Sequence, residues 1–527
     1  MTPKPNIVLV GIAGTPDDFL LSPYALKAWL AAKPAIRDGA EIEILSYPFV
    51  PAGQRAEAAE RILRDVCARE PRLAGFACYL WNRETVDLLA AGLKARRPDT
   101  LVALGGPEIC EEEIRAGRFD GASADFLVFG EGEKPLEALA LHLLGARPGL
   151  DGVRGLARRE EGRWVTHGAD AIERLDQAPS PYLTGAIPDE LLARPGIRAN
   201  VESQRGCNFR CAYCFYHKDF RGIRYRDPGA VVEEMALVDR RGIRMCRITD
   251  ANFISDREHA KTILRGLVER RLQLSLFAEI LPQFVDEELA GLFGEFVRCA
   301  PGNVLMLGIG LQTTHEESLR AIRRAIPLRH FERAFDLLAG QGAILKTDLI
   351  LGLPRETRES YFRTIEFIAE KLRRGTHFLS LAVLRVLPGS DMAEIARREG
   401  LVPDTRDAGR FVYETPTMPR PHMLECLRLN AAAFRVLSTV HMTQGPRIRD
   451  LYFEAKDRLG VPHVRLLRRL ARDFFDYLQA RRTDFVKPDF PNAEDYASKD
   501  IRRDIPDDWL AERLARLGEA GLPETES

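Results

Sequence analysis

Twice along this chain, short apolar runs alternate with segments of helical periodicity, the pattern of a parallel sheet covered by helices. In the first 145 residues five runs read as strands, at 7–10, 41–45, 73–79, 101–104 and 126–129, enough for a small doubly wound, Rossmann-like domain. From residue 198 the alternation resumes with a repeat of roughly thirty residues, the length of one βα pair. Six runs, at 199–203, 245–249, 274–279, 304–312, 344–351 and 379–386, predict a partial (β/α)6 barrel over residues 198–390. Residues 146–197 read as a connector, because Pro179, Pro181, Pro188 and Pro195 are spaced against a long helix. Beyond Pro388-Gly389 the pattern turns helical, at 423–442 and 464–482, predicting a mainly helical cap over 391–527 that frays after about residue 516. The fold class is therefore α/β, with a sheet domain, a barrel and a helical C-terminal domain.

A chain of 527 residues is too long for one core. Its 76 basic and 77 acidic residues leave a net charge of −1, so no field suited to nucleic acid is present. Arg468, Arg469, Arg472, Arg481 and Arg482 read as a solvated helix face, since no aromatic residues are interleaved along a groove. No apolar run reaches transmembrane length, and the stretch 7–13 is short enough to be a strand rather than a signal peptide. Six of the nine cysteines (Cys67, Cys78, Cys110, Cys246, Cys299 and Cys426) are scattered through apolar segments, which fits a reducing cytoplasm.

The other three stand together. The run Arg205-Gly206-Cys207-Asn208-Phe209-Arg210-Cys211-Ala212-Tyr213-Cys214 spaces them C-x3-C-x2-C directly after the first barrel strand, at the end of a parallel strand where reactive groups gather. Three thiolates on one short loop can hold three irons of a [4Fe-4S] cluster and leave the fourth without a protein ligand. Structural zinc would need a fourth ligand from a second arm. No such arm has suitable spacing, and His217 is the only nearby donor.

This spacing, with Tyr213 before the third cysteine, resembles the signature of the radical S-adenosylmethionine (SAM) superfamily. The resemblance implies that SAM chelates the open iron, that an electron from the cluster cleaves it to a 5′-deoxyadenosyl radical, and that the Tyr213 backbone contacts adenine. It extends to later strand ends. Asp250 and Asn252, in Thr249-Asp250-Ala251-Asn252-Phe253, stand where the family binds SAM's amino group. Gln312, closing Gly308-Ile309-Gly310-Leu311-Gln312, stands where a polar residue meets the ribose. Ile350, in Lys346-Thr347-Asp348-Leu349-Ile350-Leu351-Gly352-Leu353-Pro354, matches the apolar flank of the adenine. Lys346, Asp348 and Ile350 share one strand face, where the two charges read as an ion pair lining the barrel. Glu279 and Arg385, at the ends of the third and sixth strands, are candidate catalytic residues. The carboxylate could reach SAM, substrate or the open iron, and the guanidinium could fork onto a carboxylate. Each could equally pair with the other or with a neighbour.

The N-terminal sheet carries glycine-rich loops at its strand ends, where such sheets bind ligands: Gly11 to Pro16, Tyr79-Leu80-Trp81-Asn82-Arg83, Gly105-Gly106-Pro107-Glu108 and Gly130-Glu131-Gly132-Glu133. The last two, some twenty residues apart, resemble the cobalamin-binding domain that precedes many radical SAM barrels. On that resemblance Gly11, Tyr79, Trp81, Asn82, Arg83, Gly105, Gly106, Pro107, Gly130, Glu131 and Gly132 are candidate cobalamin contacts. The D-x-H-x2-G motif that supplies a histidine below cobalt in other cobalamin proteins is absent, so bound cobalamin would lack that ligand. Trp81 either excludes water from the lower face of the corrin or packs on the sheet edge.

Together the resemblances imply a cobalamin-dependent radical SAM C-methyltransferase with three cofactors: a [4Fe-4S] cluster, SAM and cobalamin. Its partners would be a small-molecule substrate and an external electron donor such as flavodoxin or ferredoxin, with no nucleic acid and no membrane. Alternatives are a radical rearrangement or cyclisation without methylation, polar methyl transfer, a methylthiotransferase and a cobalamin or redox sensor. A methylthiotransferase would need a second cluster on Cys67, Cys78 and Cys110, whose positions along the sheet do not converge.

Overall fold

The computed structural model describes residues 4–214, 216, 222–324, 326–404, 410–440, 444–481 and 505–520. The expectations for His217, for residues 441, 442 and 482, and for the tail beyond 520 lie outside these residues. The chain falls into two compact units, one of residues 1–208, 216–251 and 265–276, the other of residues 209–215, 252–264 and 277–527.

The first unit is built on a seven-stranded sheet: β1 (Asn6–Ile12), β2 (Glu41–Tyr47), β3 (Leu73–Ala77), β4 (Leu101–Gly105), β5 (Phe126–Val128), β6 (Leu156–Glu160) and β7 (Arg163–Val165), in the order β2-β1-β3-β4-β5-β6-β7. The first five are parallel. Strand β1 is buried along nearly its whole length, as expected where helices cover both faces. Its alternate side chains feed two cores: Val8 and Val10 meet Ile62, Leu63 and Leu89 on one face, while Ile7 and Leu9 meet Leu30 and Leu139 on the other.

Two strands exceed the five expected. β6 and β7 lie in the presumed connector and continue the sheet, β6 antiparallel to β5 and β7 antiparallel to β6. β6 reads Leu156-Ala-Arg-Arg-Glu, with three charges in five residues, and β7 is only Arg163-Trp-Val. An edge of a sheet tolerates such charge and is protected by it, so no apolar run marks these strands.

The remaining parallel strands are β8 (Arg198–Val201), β11 (Met245–Ile248), β12 (Ser275–Ile280), β13 (Val304–Gln312), β14 (Ile344–Leu351) and β15 (His377–Val383), in the order β15-β14-β13-β12-β11-β8. These are the six expected, and β13 and β14 begin and end at the expected residues. Between β8 and β11 the chain makes a short antiparallel ribbon, β9 (Gln204–Arg205) with β10 (Arg224–Tyr225), in which Arg205 faces Arg224. In the second unit, helices Arg420–Leu437, Gly445–Leu459, His463–Arg481 and Asp507–Ala520 form the C-terminal part. The first of these is fixed to β15 where Ser438 Oγ accepts from Leu379 N at 3.0 Å. No described helix is long and apolar enough to cross a membrane.

Candidate active site

The order β2-β1-β3 makes the gap between β1 and β3 the point where successive connections diverge, the place such sheets offer to ligands. There the loop after β3 folds over the end of β1. Trp81 Nε1 donates to Ile12 O at 3.1 Å, its ring lies against Gly14, and Tyr79 stacks on it at 4.5 Å between centroids. Trp81 nonetheless keeps 37% of its surface exposed. Asn82 is buried and committed to backbone, with Oδ1 accepting from Tyr79 N at 2.8 Å and Nδ2 donating to Ala77 O at 3.0 Å. Arg83 pairs with Asp87 at 2.9 Å and lies over the Phe119 ring. Gly11 is buried within β1 against Pro23. Gly106 has φ +118°, and a Cβ there would lie 2.6 Å from Cys78 O, so only glycine turns the chain at the end of β4. Gly105 and Pro107 beside it are half-buried, and Gly130 is exposed.

The Gly130-Glu131-Gly132-Glu133 loop reaches the ribbon that opens the cysteine loop. Glu131 pairs with Arg224 at 2.5 Å and Arg205 at 3.5 Å, and accepts from Ile172 N at 2.7 Å. Glu133 pairs with Arg205 at 2.8 Å, and Glu202 with the same guanidinium at 2.9 Å. Burial alone would raise the Glu131 carboxyl, but the Arg224 and Arg205 contacts outweigh it and hold it below its usual range. These three carboxylates let β9 and β10 set two arginines opposite each other, an arrangement otherwise repulsive.

Two residues past Arg205 the cysteine loop begins. Gly206 has φ +98°, and a Cβ would collide with Gly222 O. Cys211 is buried, Cys207 and Cys214 are half-buried, and none of the nine cysteines is in a disulfide. Tyr213 packs against the apolar cluster containing Ile350, Leu353 and Leu384, so the structure brings together two residues expected to flank adenine. At the end of β13 the register shifts between Gly310 and Gln312, and Gln312 takes φ +66°, a left-handed conformation unusual for a non-glycine residue. Its Oε1 is buried without a partner among the described residues.

Asp250 and Asn252 are drawn into backbone contacts. Asp250 accepts from Ser203 N at 2.9 Å, Gln204 N at 3.2 Å and the Ser203 hydroxyl, and burial pushes its carboxyl up to about 7 despite them. Asn252 Oδ1 accepts from Leu281 N at 2.9 Å. Within the second unit, Glu279 and Asp348 both reach Lys346, at 3.3 and 2.6 Å. Gly308 makes room for Glu279, since a Cβ there would overlap its carboxylate. Arg385 lies over the Phe411 ring at 4.2 Å. A cavity of about 390 Å³ opens beside Gly310, lined by Pro282, Leu311, Thr313, Arg320 and Arg324 among others, a size suited to a small ligand.

A Radical SAM superfamily model matches residues 201–368, and a B12 binding domain model matches residues 23–140. The chain is a radical SAM protein with a B12-binding domain. It is 28% identical over 384 residues to the cobalamin-dependent radical SAM methyltransferase TokK of Streptomyces tokunonensis, covering 68% of this chain and 55% of TokK. It is 27% identical over 393 residues to the 2-(S-pantetheinyl)-carbapenam-3-carboxylate methyltransferase of Streptantibioticus cattleyicolor, again with 68% and 55% covered. The chain thus spans about half the length of these curated relatives. Its fold is shared with the radical SAM methyltransferase TsrM of Kitasatospora setae, at a TM-score of 0.62 and 20% identity over 89% of this chain and 100% of that one. It is shared also with the cobalamin-dependent radical enzyme OxsB, at 0.65 and 15% over 98% and 81%.

The residues of this radical SAM protein fit the cofactors of its two domains. Cys207, Cys211 and Cys214 are the thiol set an open [4Fe-4S] cluster requires, and a buried cation, Arg324, stands beside one of them. Among the described residues no three such side chains already form a metal-holding group. For a corrin, the Tyr79 and Trp81 rings and the Gly105-Gly106 turn lie at the ends of neighbouring strands β3 and β4. Sequence reasoning missed Arg324, Arg205 and Arg224, whose importance comes from neighbours distant in the chain.

Proposed function

We propose that this protein is a cobalamin-dependent radical SAM methyltransferase that methylates carbon in a small-molecule or natural-product substrate, drawing electrons from a flavodoxin- or ferredoxin-like donor. The observation that carries the reading is a set of ion pairs within the first unit: Glu131 and Glu133, from the glycine loop after β5, hold Arg205, two residues before Cys207. Bound in these domains, the cluster supplies the electron that cleaves SAM and the corrin supplies a methyl carrier. The chain's own work is orientation and exclusion of water. Tyr213 and Ile350 offer an apolar wall to adenine. Gln312 offers an unused amide oxygen to a ribose hydroxyl, and the cavity beside Gly310 offers room for the rest of SAM. Trp81, part-exposed beside the end of β1, would face a corrin held at these strand ends and exclude water from it. Lys346, Asp348 and Glu279 form a charged patch on the barrel wall for a polar substrate, and Arg385 offers a fork for a carboxylate.

Candidate substrates, incubated anaerobically with SAM and reductant, test the reading. Comparable amounts of S-adenosylhomocysteine and 5′-deoxyadenosine per methylated product are expected, with deuterium from the reacting carbon appearing in the deoxyadenosine. Deoxyadenosine without homocysteine product or cobalamin requirement would make the enzyme a rearrangement catalyst instead.

A further inference from the structure

The short helix Met392–Glu399 follows the end of β15 and has one apolar face, Met392, Ile395 and Ala396, at three- and four-residue spacing. That face belongs to the apolar cluster that also holds Ala212 of the cysteine loop, with Tyr213 packed against it. On the other side Glu394, Arg397 and Arg398 are exposed. Its 8 residues are too few to hold a helix in water unaided, so this cover on the cysteine loop depends on what pins its ends.

Both ends are pinned by arginines from neighbouring strand-end loops. Asp391, at the N-cap, makes no capping bond through its side chain, although aspartate is among the best caps. Its carboxylate pairs with Arg323 instead. Glu399, at the C-terminal end where the helix dipole disfavours an acid, receives Arg355 as a fork, with Nε and Nη2 each at 3.0 Å. Arg323 and Arg355 have φ of +56° and +65°, a left-handed conformation that glycine adopts without cost and arginine does not. A turn alone would be served by glycine, so what these positions require is the side chain. The same two loops are fastened to the cysteine loop and to each other: Ala212 N donates to Ile322 O at 2.9 Å, and Ser318 Oγ to Pro354 O at 2.8 Å.

We infer that Arg323 and Arg355 are positioning residues that clamp the helix Met392–Glu399 against the Cys211–Cys214 stretch and limit solvent access to its thiols. The purpose of the clamp, shielding iron and sulfide from water, oxygen and chelators, rests on the proposed cluster. An exposed pair contributes measurably where an arginine forks onto a carboxylate, and both pairs are open enough for salt to screen them.

The test uses full-length, cluster-free protein with Arg323→Gly, Arg355→Gly and both together, since glycine keeps the left-handed turn and removes only the clamp. Alkylation by iodoacetamide is followed peptide by peptide by mass spectrometry. Cys211 and Cys214 should react about fivefold faster in each single variant, the worth of one such pair in a local opening, and faster still in the double variant. Cys426, fully buried in the same unit, reports general unfolding and should keep its wild-type rate. Raising salt from about 0.05 to about 1 M should speed the wild type toward the double variant and leave the double variant unchanged. Arg355→Lys, which keeps the charge and loses the fork, should fall between wild type and Arg355→Gly. In reconstituted protein, a chelator should strip iron faster from the double variant. Equal rates at Cys211 and Cys214 in wild type and double variant, or a rise matched at Cys426, would overturn the inference. Wild-type protein that takes up no iron would overturn the functional reading instead, and the alkylation rates, which need no iron, would still decide the clamp.

Discussion

Replacing Arg205 by methionine removes the one cation among the described residues that Glu133 contacts and one of the two that Glu131 contacts. Glu131 keeps Arg224 and the Ile172 amide, and Glu202, on the outer side, can turn to water. Glu133 has no such recourse: it is 5% exposed at the start of the helix Glu133–Leu143. Breaking a buried pair from one side costs about 3–5 kcal/mol, because the remaining charge stays buried without compensation. Three of the four tryptophans, Trp29, Trp81 and Trp164, lie in the first unit. Urea unfolding of cluster-free protein in a Trp509→Phe background, followed by fluorescence, therefore reads the loss where it occurs. Adding Glu133→Leu to Arg205→Met should restore part of the stability, with a coupling of about 0.5–3 kcal/mol. The pH dependence carries its own sign. Glu131 is held below its unfolded pKa, so its contribution is complete above that value and vanishes as pH falls through the folded one. Arg205→Met should therefore shift acid unfolding of this unit to higher pH. A loss below about 1 kcal/mol, the worth of a surface pair, or a double variant no more stable than the single one, would refute the reasoning.

The buried Glu356 gives a prediction of opposite sense: burial pushes its carboxyl up to about 8, offset only in part by the Thr313 hydroxyl at 2.6 Å. It stays protonated in the fold while ionised in the unfolded chain between about pH 4.5 and 8, so stability falls as pH rises through that window; Glu356→Gln should flatten this slope and raise the melting temperature at pH 8, and an unchanged slope would show the carboxyl to be ionised. Trp81→Ala should alter the absorption spectrum or reduction of bound cobalamin while leaving iron content intact, and identical corrin spectra would return Trp81 to packing alone. Lys346→Met leaves Glu279 and Asp348 facing each other without their shared cation; it should weaken substrate binding more than 5′-deoxyadenosine formation without substrate, and equal losses in both would refute a substrate-side role.

How much could be read from sequence depends on how local each cause is. The parallel strands announce themselves because both faces are buried, and β13 and β14 match residue for residue. Strands β6 and β7 stay hidden because an edge needs charge rather than apolar alternation. The cysteine loop is legible because its chemistry is carried by spacing within eight residues. Asn82 and Asp250 have the residue types of ligand contacts, yet the structure gives their oxygens to backbone amides, since a buried strand end must cap its own N–H groups. Glu131 reads as a candidate cobalamin contact on its glycine loop, and the structure instead folds Arg205 and Arg224, some 70 and 90 positions on, against it. Arg324 is least visible of all, because among Arg320, Arg323 and Arg324 only the fold decides which guanidinium turns inward.

Metal analysis of anaerobically reconstituted wild-type protein beside the Cys207→Ala, Cys211→Ala, Cys214→Ala triple variant tests most directly whether one chain carries both cofactors on separate supports. The account predicts about four irons and four sulfides, together with bound corrin, in the wild type; the triple variant should lose iron, sulfide and 5′-deoxyadenosine formation while keeping corrin. Zinc in place of iron, or deoxyadenosine still formed by the triple variant, would contradict it.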